Sequence, residues 1–215
     1  MVKLLSELAS IKTGVFAKPA RDGEILYLQV GDLNDDGSLK EVLYPCLHME
    51  KKLKGHLIQP GDVLFARSSK IIATMYERNE PAVASTSFFV IRMNGDSVVL
   101  PEYLAWYMNC PDAQKQLQGN AAGTSAMVSI SKTALAALGI EIPPSFKPPA
   151  FIEKFGLADF EKSEFREASI MAQRTILNLV GLYARKRNLE KEIDQLKTKV
   201  FNRQITSYLK REGLC

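Results

Sequence analysis

The most regular hydrophobic pattern of the chain lies in its C-terminal part. Between Glu164 and Lys210 there is no proline and one glycine, Gly181, so a continuous helix of about 70 Å is allowed. Apolar residues recur there at heptad spacing. The seven seam positions are Leu179, Leu182, Lys186, Leu189, Ile193, Leu196 and Val200. This spacing predicts a coiled-coil arm over residues 161–215, and the alternative is a helix that packs against its own globular domain.

The residue types at the seam also predict how many helices associate. Leucine at one seam position, combined with the β-branched Ile193 and Val200 at the other, favours two strands. Lys186 costs stability at the seam but helps to fix register and partner number. We therefore expect the seam to be the dimer interface of a homodimer.

Upstream of the arm, the pattern changes to short runs that alternate or are continuously apolar, which is typical of strands. These runs lie at 25–30, 39–43, 63–66, 71–76, 87–92, 127–130 and 139–142. The run at 87–92 is nearly all apolar, so we expect a central strand there. Helices are predicted at 4–11, at 102–117 and after the capping residue Ser131. The fold class expected is α/β (α+β), with several short strands followed by a long C-terminal coiled-coil helix.

Turn and linker residues mark the boundaries between these elements. Asp35-Asp36-Gly37 and Pro60-Gly61-Asp62 have the composition of tight turns. Four prolines between positions 143 and 149 exclude sheet and helix interiors, so they predict a stiff, extended linker. The expected organisation is a globular domain at 1–144, a proline-rich linker and helix start at 145–160, and the arm at 161–215.

Composition narrows the class of protein. No apolar run approaches the roughly 18 residues of a membrane span, and the N-terminal residues lack the pattern of a signal peptide. The three cysteines, Cys46, Cys110 and Cys215, are too few and too widely spaced for a disulfide framework or a zinc site. We therefore expect a cytoplasmic protein without membrane association.

The net charge of +4 is unevenly distributed. Residues 161–211 contain 12 Lys and Arg against 6 Asp and Glu, which leaves 16 basic and 18 acidic residues elsewhere. The arm therefore carries the positive charge. A globular domain with a slight negative balance can bind nucleic acid only through local clusters of basic side chains.

One arrangement could suggest a metal-dependent nuclease. Asp36 followed by Glu50-Lys51-Lys52 has the loose spacing of two magnesium-binding acids and a lysine. The alternative is a turn aspartate followed by a solvated basic run, and segment 47–57 favours it because it resembles a surface helix or loop. His48 and His56 have no acid or cysteine at ligand spacing. We expect no metal site and no catalytic residues.

Four segments in a fixed order carry a resemblance to a known family. They are ILYLQVGDLNDDG at 25–37, IQPGDVLFARSS at 58–69, LPEYL at 100–104 with the helix that ends in Gln116-Leu117, and GIEIPP at 139–144 before the long helix. In combination they resemble the target recognition domain of a type I restriction-modification specificity (S) subunit. Such subunits usually carry two of these domains and two antiparallel helices, so the chain resembles a half-subunit. Residues 145–155 depart from the family's pattern.

The resemblance implies a non-catalytic subunit that recognises a sequence in double-stranded DNA. Its partners would be adenine-methyltransferase modification subunits and a motor and nuclease restriction subunit, and its homodimer would be antiparallel. S-adenosylmethionine, ATP and Mg²⁺ are expected in those partners and no cofactor in this chain. The sequence contains no amino-methyltransferase motif, glycine-rich cofactor loop or phosphate loop.

The candidate DNA-contacting residues lie in three polar or basic groups. The strand-end group can present a guanidinium to guanine, and the small-residue loop at 119–125 allows close approach to a backbone. The groups are Arg67, Ser68, Ser69 and Lys70; Asn120, Thr124 and Ser125; and Lys12, Lys18 and Arg21. The alternatives are a salt-bridged Arg67 with capping serines and a plain surface loop. Two other classes, a dimeric transcription regulator and a structural adaptor, share the same composition.

Overall fold

The computed structural model describes residues 1–68, 70–119, 129–143 and 158–211, the last range without the side chains of 158–165 and 207–210. The chain divides into two compact units, Met1–Arg174 and Thr175–Cys215. The strands described are β1 (Val2–Leu4), β2 (Ala9–Thr13), β3 (Leu26–Leu28), β4 (Val63–Ala66), β5 (Ile72–Met75), β6 (Ala82–Ala84), β7 (Phe88–Met93) and β8 (Gly139–Glu141). The α-helices described are α1 (Leu5–Leu8), α2 (Pro101–Met108), α3 (Pro111–Gly119), α4 (Lys132–Ala136) and α5 (Ala158–Arg211).

A four-stranded antiparallel sheet with the order β2-β7-β4-β5 forms the centre of the first unit. On β7, Phe89 pairs with Thr13 on one side and with Phe65 on the other, which confirms the predicted central strand. Every residue of β4 is fully buried. Because β2 and β4 both pair antiparallel with β7, they run in the same direction, and their C-terminal ends lie at the same end of the sheet.

Two smaller sheets complete the domain. Strands β1 and β8 pair antiparallel, with Leu4 opposite Gly139, and strands β3 and β6 pair in parallel. The backbone N–H of Ile142 donates to the carbonyl of Met1 at 2.7 Å, which extends the first pair. Residues at the start of the chain are thereby joined to the segment that ends at Pro143. The linker predicted at 145–160 lies, up to position 157, outside the described residues.

Buried apolar side chains fill the space beside the central sheet. The burial of each large one contributes about 1.5 to 3 kcal/mol before chain entropy is counted. The larger cluster consists of Leu26, Leu28, Leu33, Ile58, Leu64, Ala66, Tyr76, Ala82, Ala84 and Phe88. A second cluster consists of Ala17, Ile25, Leu47, Leu53 and Val83. Strands β3 and β6 both contribute to the larger cluster, so they pack on the face of the sheet that carries Leu64 and Phe88, and Val83 of β6 also contributes to the second cluster.

Several predicted elements are confirmed. Strands β4, β5, β7 and β8 lie where apolar runs predicted them. The hydroxyl of Ser131 accepts a hydrogen bond from the N–H of Ala134 at 3.0 Å, as expected of the residue that caps α4. Gly37 and Gly61 have φ values of 88° and 90° in the two predicted turns. These features depend on short-range chemistry that a sequence displays directly.

The helix predicted at 4–11 is wrong over most of its length. Helix α1 has only four residues, and Ile11 belongs to β2, where it pairs with Ile91. Five consecutive backbone pairings with β7 stabilise β2 as a strand and outweigh the local helical spacing. The strand predicted at 39–43 is also wrong: among the described residues of that segment, only Leu39 makes a bridge, with Leu33.

The single helix predicted at 102–117 is two helices. Helix α2 ends at Met108 and α3 begins at Pro111, because proline has no N–H to continue the helical hydrogen bonds. At the break, the side-chain amide of Asn109 donates to the carbonyl of Ala73 and accepts from its N–H, both at 2.8 Å. The side chain of Asn109 thus provides hydrogen-bond partners for backbone groups of the edge strand β5.

The beginning of α5 is bound to the globular domain through two buried polar side chains. Gln173 donates to the carbonyl of Val98 at 2.7 Å and accepts from the N–H of Leu100 at 2.8 Å. The hydroxyl of Ser169 donates to the carbonyl of Pro143. Residues up to Arg174 therefore belong to the first unit. In the described part of the chain, no helix has the length and apolarity that crossing a membrane would need.

Candidate nucleic-acid interface

The loop that follows β4, residues 67–70 (the reading loop), is held by its backbone. The N–H of Arg67 donates to the carbonyl of Ser87 at 3.0 Å, and the N–H of Ile130 donates to the carbonyl of Arg67 at 2.9 Å. Ser68 forms a β-bridge with Ser129. Backbone contacts on both sides therefore fix the start of this loop. Such support is needed where a side chain must meet a partner in one orientation.

The guanidinium of Arg67 lies over the ring of Phe89, with its central carbon 5.2 Å from the ring centroid. The side chain is half-buried. No carboxylate lies within ion-pair distance of it, so the salt-bridged alternative for Arg67 has no partner among the described residues. The attraction of an aromatic face for a cation helps to orient the guanidinium and leaves its N–H donors available.

Lys70, the other cation of the reading loop, has a protein partner. Its Nζ lies 2.8 Å from Oδ1 of Asp35, and this hydrogen bond together with the lysine's charge lowers the pKa of Asp35. Asp35 is fully exposed, so the pair is weak and screened by solvent. A phosphate could replace Asp35 at little cost. Ser69 lies outside the described residues.

Lys12 lies on β2, opposite Val90 of β7, and is exposed. Strands β2 and β4 are separated only by β7, so their axes are about 10 Å apart. Lys12 and Arg67 point to opposite faces of the sheet, because Lys12 shares the face of Val90 whereas Arg67 stacks on Phe89. The sheet thus presents Lys12 and Arg67 on opposite faces.

Directly after β2 the backbone passes very close to another segment. A Cβ at Gly14 would lie 2.0 Å from the carbonyl oxygen of Ser85, so this position admits no side chain. The N–H of Gly14 donates to the carbonyl of Phe88 at 3.0 Å. This close approach fixes the point at which the chain leaves the sheet and enters the loop that carries Lys18 and Arg21.

Lys18 and Arg21 are exposed on the loop between β2 and β3. The hydroxyl of Tyr27 fastens this loop by donating to the carbonyl of Val15 at 3.1 Å and accepting from the N–H of Ala17 at 3.3 Å. Both cations are therefore available to solvent on an anchored segment. The remaining predicted contacts, Asn120, Thr124 and Ser125, lie outside the described residues.

The arrangement that could suggest a nuclease has a structural explanation. Asp36 Oδ1 accepts hydrogen bonds from the N–H and hydroxyl of Ser38 at 2.9 and 2.6 Å, which lower the pKa of Asp36 and stabilise the turn. Glu50 pairs with Lys52 at 2.9 Å. Among the residues that the structure describes, no group of three or more His, Cys, Asp or Glu side chains could hold a metal ion.

Sequence reasoning missed two residues near Lys12. His56 and Arg92 line the same small cavity as Lys12 but come from a 3₁₀ turn, Lys54–His56, and from β7. No local pattern marks them, because they meet Lys12 only through strand pairing and loop packing.

The predicted seam lies on a part of α5 whose side chains are exposed. Its apolar members are between 50% and 60% exposed, and Lys186 is exposed beside Glu190, 3.9 Å away. Other apolar residues of the same helix are exposed outside the seam; they are Val180, Tyr183, Phe201 and Ile205. A seam of this length is an unusual surface to leave in water, and it is suited to pairing with another helix.

Comparisons with known proteins place the fold. No protein-family model matches the chain, and none of the curated proteins does. Among solved structures, the HsdS subunit from Thermoanaerobacter tengcongensis is similar over 86% of this chain and 39% of that one, with 15% identity and a TM-score of 0.51. A type I restriction-modification system S subunit from M. genitalium matches over 65% of this chain and 33% of that one, with 12% identity and a TM-score of 0.45. A third structure, described as the structural basis of complex assembly and conformational transition of the type I R-M system, matches over 83% of this chain and 43% of that one, with 15% identity and a TM-score of 0.48.

The HsdS comparison establishes the fold class. A mixed α/β domain of short strands followed by a long C-terminal helix is common to both chains, so the S-subunit fold that the sequence resemblance implied is confirmed. The present chain spans less than half the length of that subunit.

Proposed function

We propose that this chain is a sequence-specific DNA-binding specificity subunit that acts within a type I restriction-modification system. It would direct adenine methylation and restriction that partner subunits carry out. The fold similarity to HsdS supports this assignment. The observation that carries the DNA-reading role is the state of Arg67, whose guanidinium is oriented by Phe89 and a fixed backbone but has no carboxylate partner among the described residues.

In this proposal the reading loop contacts base edges. An arginine that approaches the major groove can donate two hydrogen bonds to O6 and N7 of guanine, and stacking on Phe89 limits the rotamer entropy lost on binding. Ser68 and Ser69 supply hydroxyls to bases or phosphates. Lys70, Lys18 and Arg21 are assigned to phosphates, which fix the position of the domain without reading sequence. Asn120, Thr124 and Ser125 remain predicted contacts.

The chain is proposed to be non-catalytic. Methyl transfer with S-adenosylmethionine would belong to modification subunits, and ATP-driven translocation and Mg²⁺-dependent cleavage to a motor and nuclease subunit. In support, the loops described here provide basic and hydroxyl groups suited to binding, and the acids of the nuclease-like arrangement are engaged in local hydrogen bonds and an ion pair.

Pairing of two copies would convert one recognition domain into a symmetric reader. We propose that the seam joins two chains in an antiparallel coiled coil, with one recognition domain at each end. A twofold axis then implies two inverted half-sites separated by an unread spacer. Helix overlap that separates the domains by roughly 40 to 70 Å places the half-site centres about one to two turns of DNA apart.

The function can be tested by reconstitution. The purified chain is combined with adenine-methyltransferase modification subunits of a type I system, labelled S-adenosylmethionine and a duplex library. We expect methylation of one bipartite sequence, only when the chain is present, and no methyl transfer or cleavage by the chain alone. Turnover by the isolated chain would contradict the non-catalytic assignment. If the chain binds a specific DNA sequence tightly but the added modification subunits do not methylate it, a dimeric regulator would be indicated instead.

A further inference from the structure

A small cavity lies against the face of the β2–β7 pair that carries Lys12. Its volume is about 70 Å³. Ser10 and Lys12 of β2 face Arg92 and Val90 of β7 across the floor, and the 3₁₀ turn that ends at His56 covers it. None of the residues that line the cavity is acidic. Such a lining, with hydrogen-bond donors and without carboxylates, is typical of an anion site.

The donors of this cavity are only partly used. The ammonium of Lys12 makes one long hydrogen bond, 3.4 Å to the carbonyl of Gly55, and has no carboxylate partner among the described residues. Arg92 uses Nε and Nη2 to bind Asp62 and the carbonyl of Leu57, which leaves Nη1 without a partner in the described part of the chain. Donors on both strands are therefore available to a ligand that accepts hydrogen bonds.

We propose that this cavity, the Lys12 cavity, binds a phosphate group. Its volume is several times the roughly 10 to 15 Å³ that a single water requires by the same measure, so it has room for a compact tetrahedral anion. Lys12 provides the net charge, because the charge of Arg92 is offset by Asp62. The hydroxyl of Ser10, which donates to the carbonyl of Arg92 at 3.4 Å in the free chain, and the ring N–H of His56 can turn to donate to the anion.

The phosphate group could come from a DNA backbone or from free phosphate, which offer the same oxygens. The assignment to DNA rests on the proposed function. A phosphate held by the Lys12 cavity would fix the position of the domain on the duplex while Arg67, on the other face of the same sheet, reaches the bases.

Inorganic phosphate tests the cavity without DNA. Thermal unfolding of the full chain is measured in phosphate and in chloride at equal ionic strength. We expect phosphate to raise the Tm of the wild-type chain and of Ser10→Asn, and the increase to be lost in Lys12→Met and Ser10→Asp. The Ser10 pair matches in size and differs in charge, since Asp places a carboxylate where the anion binds. No phosphate-specific increase, or an increase that persists in Ser10→Asp, would overturn the proposal.

The salt dependence of DNA binding tests the source of the phosphate. Losing one phosphate contact lowers the slope of log K against log salt concentration by about 0.9 in B-DNA. Lys12→Met should show this reduction with unchanged sequence preference, whereas Lys115→Met, which removes an exposed lysine of α3, should not. If the two variants have equal slopes while the phosphate effect on Tm holds, free phosphate is the ligand and the DNA assignment fails. If the wild-type chain binds no DNA, the proposed function fails, and the thermal experiment still decides whether the cavity binds phosphate.

Discussion

Asp62 and Arg92 form a two-point ion pair between the turn before β4 and strand β7. Arg92 Nε donates to Asp62 Oδ1 at 2.7 Å, and Arg92 Nη2 donates to Oδ2 at 2.6 Å. Asp62 is 2% exposed and also accepts from the N–H of Gln59 at 2.8 Å. The hydrogen bonding of Arg92 to the Asp62 carboxylate raises the pKa of Arg92. The Pro-Gly-Asp motif, part of the family resemblance, therefore stabilises the fold.

Removing the carboxylate of this pair should be costly. In Asp62→Ala, the guanidinium of Arg92 and the N–H of Gln59 lose their shared acceptor, and we expect a loss of about 3 kcal/mol in the free energy of unfolding. Urea unfolding measures it. Asp22→Ala is the control, because Asp22 is 86% exposed and its one ion pair within the described part of the chain is with His48. This variant should change stability by less than about 0.5 kcal/mol. Equal effects in the two variants would contradict this role of Asp62.

Gln173 should be the residue that attaches the start of α5 to the domain. Gln173→Ala leaves the carbonyl of Val98 and the N–H of Leu100 without partners in a buried position. We expect a cost of about 1 to 3 kcal/mol in urea unfolding. Gln195→Ala, on an exposed turn of the same helix, controls for helix propensity and should be nearly neutral. A neutral Gln173→Ala would show that these hydrogen bonds do not hold the helix start.

Stability should fall in alkaline solution because of buried tyrosines. Burial raises the pKa of Tyr76 to about 12, while its hydroxyl donates to the carbonyl of Glu80 at 2.6 Å. An unfolded tyrosine ionises near pH 10, so above that pH the unfolded state binds fewer protons than the folded state. The contribution of Tyr76 is therefore complete below about pH 10 and is lost as the pH rises to about 12.

Urea unfolding at a series of alkaline pH values measures this loss. Tyr76→Phe should unfold with a weaker pH dependence than the wild-type chain, despite a lower stability near neutral pH from the lost hydrogen bond. Tyr44→Phe alters an 80% exposed ring and should leave the pH dependence unchanged. An unaltered pH dependence in Tyr76→Phe would exclude Tyr76 as its source.

The parts of the fold that the sequence predicted are those with local causes. A continuous apolar run identified β7, and Ser131 identified the start of α4 by its capping chemistry. By contrast, β2 is a strand because Ile11 pairs with Ile91, eighty positions away, and β6 was missed because its partner is β3. No short window of sequence contains such pairings.

The candidate interface divides in the same way. The end of a buried strand identified Arg67 as a residue that could be presented to a ligand. The ring of Phe89 beneath it and the pairing of Lys70 with Asp35 depend on strands and loops that are remote in sequence. The sequence could therefore propose the reading residue but not the contacts that orient it.

Arg67 should contribute both affinity and sequence preference. Arg67→Ala should weaken binding to the recognised duplex by about 1 to 3 kcal/mol, because two donors to one base are lost. Arg67→Lys keeps the charge but cannot donate in the same planar geometry, so it should recover nonspecific binding and not the preference. Fluorescence anisotropy with recognised and scrambled duplexes measures both quantities. Equal losses on the two duplexes would assign Arg67 to a phosphate.

The seam should determine the oligomeric state of the chain. Leu189→Asp combined with Leu196→Asp places two carboxylates on each helix of the proposed pair, where their desolvation opposes association. We expect light scattering to report a monomer and the reconstituted complex to lose methylation of the bipartite site. Both leucines are more than half exposed in the single chain, at 58% and 60%, so the substitutions should leave the stability of the globular domain unchanged.

The matched control is Asn188→Asp combined with Gln195→Asp. These exposed positions precede the two leucines by one residue each, so they add the same charge off the seam. This variant should remain dimeric, because its carboxylates stay in water. If the leucine variant is also dimeric, the seam is not the interface. If the wild-type complex instead modifies one short uninterrupted sequence, the antiparallel arrangement is wrong, because domains at opposite ends of a helical pair cannot read adjacent half-sites.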